Sequence, residues 1–131
     1  MHNYRTLKVW NESIELTTKI YAFTKLFPKE ELYGLTSQIR RCSVSIPSNI
    51  AEGAGRNSDK EFHHFLGIAM DSSFELETQL IISMKLSYLS EKDFNEIHGL
   101  LGINQKMLNA LKQSLKGKGL KNFILSILWA F

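Results

Sequence analysis

Residues 34–77 read GLTSQIRRCSVSIPSNIAEGAGRNSDKEFHHFLGIAMDSSFELE. Leu35, Ile39, Cys42, Ile46 and Ile50 recur at steps of three and four, the spacing of one buried helix face. Pro47 stands inside that pattern. Its ring clashes with the carbonyl four residues back, at Ser43, and it has no N–H to offer that carbonyl. The periodicity continues to Ile50, so the spacing predicts a helix from about Leu35 to Glu52 that is kinked at Pro47 and not broken there. Ser43 and Ser45 are placed to bond the freed or nearby carbonyls. Gly53 and Gly55 are expected to end the helix. Ser58-Asp-Lys-Glu61 is then a capping box, which opens another helix. Its inward positions run through Phe62, Leu66, Ala69, Ser73, Leu76, Leu80 and Ser83 to about Tyr88.

Upstream, a first helix is expected from about Thr6 to Leu26. It carries two adjoining stripes, one through Leu7, Trp10, Ile14, Thr17, Tyr21 and Thr24, the other through Val9, Leu16, Ile20, Phe23 and Phe27. Pro28 excludes Phe27 from the helical region and stops it. Downstream, Ser90-Glu-Lys-Asp93 is a second capping box. Phe94, Ile97, Leu101, Asn104, Leu108, Leu111 and Leu115 follow it, and Gly117 and Gly119 are the expected stop. No stretch alternates with strand periodicity. Four helices joined by short loops predict an all-α, antiparallel up-down-up-down four-helix bundle. It is expected as a single domain over residues 1–116, followed by an apolar C-terminal extension, 117–131, that includes FILSILWAF.

The bulk composition suits such a domain. The chain has 131 residues, 44% hydrophobic and 22% charged, with a formal charge of +3. A basic excess of this size permits an anionic partner and does not demand one. The single cysteine, Cys42, excludes an intramolecular disulfide and points to a reducing, cytoplasmic setting. No run approaches the ~20 apolar residues of a membrane span.

Catalytic and metal chemistry find little support. His63 and His64 are adjacent and diverge by ~100° on a helix, so they do not share a ligand. Glu61 and His64 supply the Glu-x-x-His spacing of di-metal bundles once, where two copies are needed. GAGRNS lacks the lysine and the preceding strand of a phosphate loop, and no Gly-x-Ser-x-Gly elbow occurs. No catalytic residue, metal site or cofactor is expected. Arg40, Arg41, Arg56 and Lys60 flank the second and third helices and are the candidate phosphate contacts. The competing reading pairs Arg40 and Arg41 with Glu52, Glu75 or Glu77 to hold helix register. Lys112, Lys116, Lys118 and Lys121 suit a helix C-terminus without any ligand.

The segment LTSQIRRCSVSIPSNIAEGAGRNSDKEFHHFLGIAMDSSFELETQL resembles the signature of the 23S rRNA intervening-sequence proteins, also called S23 ribosomal-like proteins. The matching positions include Ser45, Pro47, Asn49, Glu52 and Gly53, then Ala69, Ser73 and Glu75 to Glu77. LKVW and FPKEELYGL also fit, and the resemblance spans about residues 4 to 116. It implies a bacterial, non-enzymatic four-helix bundle that forms a homopentamer, with RNA as the supposed partner. The fold it implies is also similar to the accessory protein of diversity-generating retroelements, which works with a reverse transcriptase. The expected function is therefore that of a homo-oligomeric RNA- or nucleic-acid-binding bundle. The alternative is a protein-interaction scaffold or a reverse-transcriptase accessory-like subunit.

Overall fold

The computed structural model describes residues 1–116, so the expectations for the 117–131 extension, and for Gly117, Gly119, Lys118 and Lys121, lie outside the described residues. Four α-helices make up the described chain: α1 (Lys8–Thr24), α2 (Leu35–Ala54), α3 (Asp59–Lys85) and α4 (Glu91–Ser114). No strand occurs among the described residues. Short 3-10 turns precede α1 and α2.

Both capping boxes act as helix starts. The Glu61 N–H donates to Ser58 Oγ at 3.2 Å, and that hydroxyl in turn donates to Glu61 Oε2 at 3.1 Å. The Asp93 N–H donates to Ser90 Oγ at 3.1 Å. Each serine satisfies one of the amides that a helix start leaves without a partner. The end of α3 falls three residues before the expected Tyr88. Ser87 has φ of 63°, and the Tyr88 N–H turns back to Ser83 O, which closes the helix in a left-handed cap.

The helix contacts fix how neighbours run. Between α2 and α3, Ser45 meets Ser72 and Cys42 meets Glu75. Between α3 and α4, Gln105 reaches Ser73 and His98 reaches Glu77. Between α4 and α1, Asn104 reaches Val9 and Lys19 reaches Glu96. In each pair the numbers rise along one helix as they fall along the other. Buried Leu16, Ile20, Ile39, Ile46, Ile50, Phe62, Leu66, Leu76, Leu80, Ile97, Leu101 and Leu108 fill the centre.

Two sequence expectations need correction. Of the two stripes on α1, the one through Val9, Leu16 and Ile20 is buried, whereas Ile14 and Tyr21 of the other are exposed. The buried arc of α1 is narrower than expected because it faces only α2 and α4. Gly53, expected as a stop, lies inside α2. A Cβ there would lie 2.7 Å from Phe65 Cβ and 2.9 Å from Phe62 Cδ1. The glycine therefore sets how closely α2 approaches α3.

Pro47 is buried within α2. The Ser43 carbonyl that it leaves unbonded receives the Thr17 hydroxyl of α1, at 3.0 Å. The same hydroxyl lies 2.8 Å from Ser13 O, so one proton is shared between two carbonyls. The Ser43 hydroxyl bonds a nearby carbonyl as expected, Arg40 O at 2.8 Å, while the freed carbonyl itself is met from α1. Ser43 is fully buried, so no water replaces Thr17. Thr17→Val is expected to destabilise the fold by about 1–3 kcal/mol, the cost of a buried carbonyl left unmet, whereas Thr17→Ser retains most of the stability. Urea unfolding midpoints of the two variants check this.

Candidate functional site

The four candidate cations do not meet. Arg40 turns toward α1, where its Nε donates to buried Thr24 Oγ1 at 2.9 Å and its guanidinium lies over the Tyr21 ring at 4.8 Å. Arg41 is one residue on, ~100° round the helix, and is exposed toward α3. Arg56 lies at the far end of α2, roughly 22 Å along the axis at 1.5 Å per residue. Its Nη2 pairs with Glu52 Oε1 at 3.0 Å and its guanidinium covers the Phe65 ring at 4.7 Å. Lys60 is exposed in the first turn of α3. Arg56 and Lys60 share the α2–α3 turn, while Arg40 and Arg41 point to different neighbours.

The expected pairing of Arg40 and Arg41 with carboxylates is not observed. Glu52 is taken by Arg56, Glu75 accepts from Cys42, and Glu77 lies 2.7 Å from His98 Nε2. Arg40 is held instead by a hydroxyl and an aromatic ring, which the spacing of charges along the sequence does not reveal.

The signature residues build a polar seam between α2 and α3. The Ser45 and Ser72 hydroxyls bond at 2.9 Å, and Asn49 Nδ2 donates to Ser45 O and Oγ at 2.8 and 3.0 Å. Ser73 is fully buried, donates to Met70 O and accepts from Gln105 Nε2. Small side chains at Gly53, Ala69, Ser72 and Ser73 let the two helices close on each other. Cys42 donates to Glu75 Oε2 at 3.2 Å. Along this seam a cleft of about 260 Å³ opens, with Arg41, Cys42, Ser45, Ser72, Glu75 and Gln79 among its walls. Sequence reasoning missed Gln79. Its spacing from Glu75 on one helix face was the available signal.

A second grouping was also missed. His63 is held below its ordinary titration range by burial, then by the nearby charges of Lys112 and Lys116. The last turn of α4 therefore stands beside the first turn of α3. The His2 N–H donates to Ala54 O at 2.7 Å, which brings the chain start to the same end of the molecule. That end gathers Arg5, Lys8, Arg56, Lys60, Lys112 and Lys116, against Glu12, Glu52, Asp59 and Glu61. The other end carries Glu30, Glu31, Glu75, Glu77, Glu91, Asp93 and Glu96 together with Lys19, Lys25, Lys29, Arg40, Arg41, Lys85 and Lys92, so the two signs balance there. The excess of cations, six against four acids, lies at the end that holds His63. Among the described residues no group of three His, Cys, Asp or Glu gathers as a metal-binding set, and no helix is long and apolar enough to cross a membrane.

Burial, then the Glu75 hydrogen bond and charge, push the Cys42 thiol from 9.0 up to about 11. A raised acid stabilises the fold while protonated, so its contribution is complete below pH 9 and is lost as pH rises through about 11. Unfolding midpoints should fall across that window. Glu75→Gln should narrow the window and speed thiol labelling at pH 8, because it removes the negative charge beside the sulfur.

The comparisons with known proteins agree with this architecture. The family model described as 23S rRNA-intervening sequence protein matches residues 5–110. The chain is similar to a crystal structure of a protein with unknown function from the S23 ribosomal protein family of Bacteroides thetaiotaomicron. The TM-score is 0.75 at 24% identity, covering 80% of this chain and 95% of that one, a likeness of fold. No protein of curated function matches. With four helices, the signature seam and a match over most of its length, the chain belongs to the 23S rRNA-intervening sequence protein family.

Proposed function

We propose that this chain is a non-enzymatic, cytoplasmic bundle that assembles with copies of itself and binds structured RNA at its basic end. The frame of the proposal is an up-down-up-down bundle bent at Pro47. The opposite sense of the helix contacts and the missing Pro47 N–H support that frame.

A local basic excess carries the RNA reading. Arg5, Lys8, Arg56, Lys60, Lys112 and Lys116 gather at one end against four acids, whereas the two signs balance at the other end. Phosphates are drawn to such a surface and release counterions as they bind. Arg40 is excluded from this role, since Thr24 and Tyr21 hold it. In an assembly, the modest charge of one copy is multiplied across a continuous field.

Assembly is supported by two apolar surfaces on different helix pairs. On α1 and α2, Trp10, Ile14, Val44, Pro47 and Ala51 line an open groove of about 340 Å³. On α3 and α4, Phe74 and Ile103 are 52% and 50% exposed, and the contact register sets them side by side. Two unlike faces suit head-to-tail contact, in which one face of each copy meets the other face of the next and the series closes into a ring. Five copies is the number that the family resemblance implies. The alternative is a scaffold, or a reverse-transcriptase accessory-like subunit, in which the α1–α2 groove takes a different protein.

Ile14→Glu and Phe74→Glu should each reduce the assembly to monomers by light scattering. An equimolar mixture should recover a one-to-one dimer, because each variant keeps the face that the other has lost. A mixture that stays monomeric rejects head-to-tail assembly and favours the scaffold. With a structured RNA hairpin, affinity should fall as salt rises. Lys112→Ala and Lys116→Ala should each reduce the salt slope by about one, and Arg40→Ala should leave it unchanged. Bound phosphate should also raise the His63 pKa seen by NMR, since it offsets the two lysines. No binding at low salt rejects the RNA reading.

A further inference from the structure

The cleft between α2 and α3 carries more polar chemistry than the seam uses. Ser45 and Ser72 bond each other, and Asn49 also donates to Ser45, so these groups are satisfied. The Cys42 S–H is given to Glu75. Gln79 stands in the same wall, and its amide carbonyl oxygen is the group left over. That oxygen is buried with no hydrogen-bond partner, on a residue only 8% exposed. Folded proteins rarely leave such an acceptor unmet without a reason.

Arg41 and Glu75 stand at the same cleft, both exposed. They do not pair with each other, since the ion pairs among the described residues are His2–Asp59, Lys19–Glu96, Arg56–Glu52 and His98–Glu77. Glu75 uses only Oε2 on Cys42. One small cleft thus presents a guanidinium and a carboxylate oxygen to solvent, with the unmet Gln79 carbonyl buried behind its wall. At about 260 Å³ it is smaller than the pockets that take drug-sized molecules.

We propose that this cleft binds a small zwitterion of the free amino-acid class. The ligand's ammonium meets the Glu75 carboxylate. Its carboxylate meets the Arg41 guanidinium, whose planar fork matches two carboxylate oxygens. The cleft lies on the α2–α3 seam, apart from the basic end, so this binding is independent of RNA.

The test is an amide NMR titration of the full chain with L-alanine, L-glutamine and L-arginine, taken separately to about 10 mM, where a millimolar site is mostly filled. At least one should give saturable shifts at Cys42, Ser45, Ser72 and Gln79. Propylamine and propionate, which carry one charge each, should bind at least about tenfold more weakly, a loss of one end's interaction. Glu75→Gln and Arg41→Ala alter exposed side chains and leave the core intact, and each should weaken binding by a similar factor. Absence of saturable shifts with all three amino acids overturns the proposal. So does unchanged affinity in both variants, or equal affinity for a singly charged probe.

Discussion

The Pro47 position constrains much of this bundle. A proline in a helix interior frees a carbonyl, and a buried carbonyl must find a donor. Ser43 O finds it on another helix, in the Thr17 hydroxyl. The register of α1 against α2 is thereby tied to a single shared proton. Seven residues further on, the C-terminal end of α1 is held by Arg40, which bonds Thr24 and covers Tyr21. Two polar contacts thus align an interface whose centre is Leu16, Ile20, Ile39 and Ile46.

On its other side α2 meets α3 through small and hydroxyl-bearing residues. Gly53 lets the helices touch at Phe62 and Phe65, and serines continue the close approach toward the middle. Tight backbone approach leaves little room for large side chains, so polar groups satisfy one another across the seam. Where the seam opens, Arg41 and Glu75 flank a cleft that packing alone does not fill. The family signature is in this sense mainly architectural. Ser45, Asn49, Gly53 and Ser73 hold helices together, and Glu52 and Glu75 are members that also reach solvent.

Folding also redistributes charge. Along the sequence the basic residues look scattered, and Arg40 and Arg41 look like the obvious pair. Bringing the end of α4 beside the start of α3 sets Lys112 and Lys116 near His63, with Arg56 and Lys60 at the adjoining turn. The net charge of +3 does not show where the excess lies, because cations and acids balance at the other end.

The sequence by itself determined the elements. Helical periodicity, two serine capping boxes and short loops specify four helices, and local rules suffice because capping and patterning involve residues within one or two turns. The signature also specified the family, since its residues are contiguous. Tertiary structure decided everything that depends on a neighbour. Thr17 as donor to Ser43, Gly53 as a point of close approach, the loss of Arg40 to Tyr21, and the unmet oxygen of Gln79 all join residues far apart in the chain. Which stripe of α1 is buried was likewise undetermined, because both are apolar and only the positions of α2 and α4 choose between them. A side chain's direction around its helix can be read from spacing, but what it meets there is set by packing.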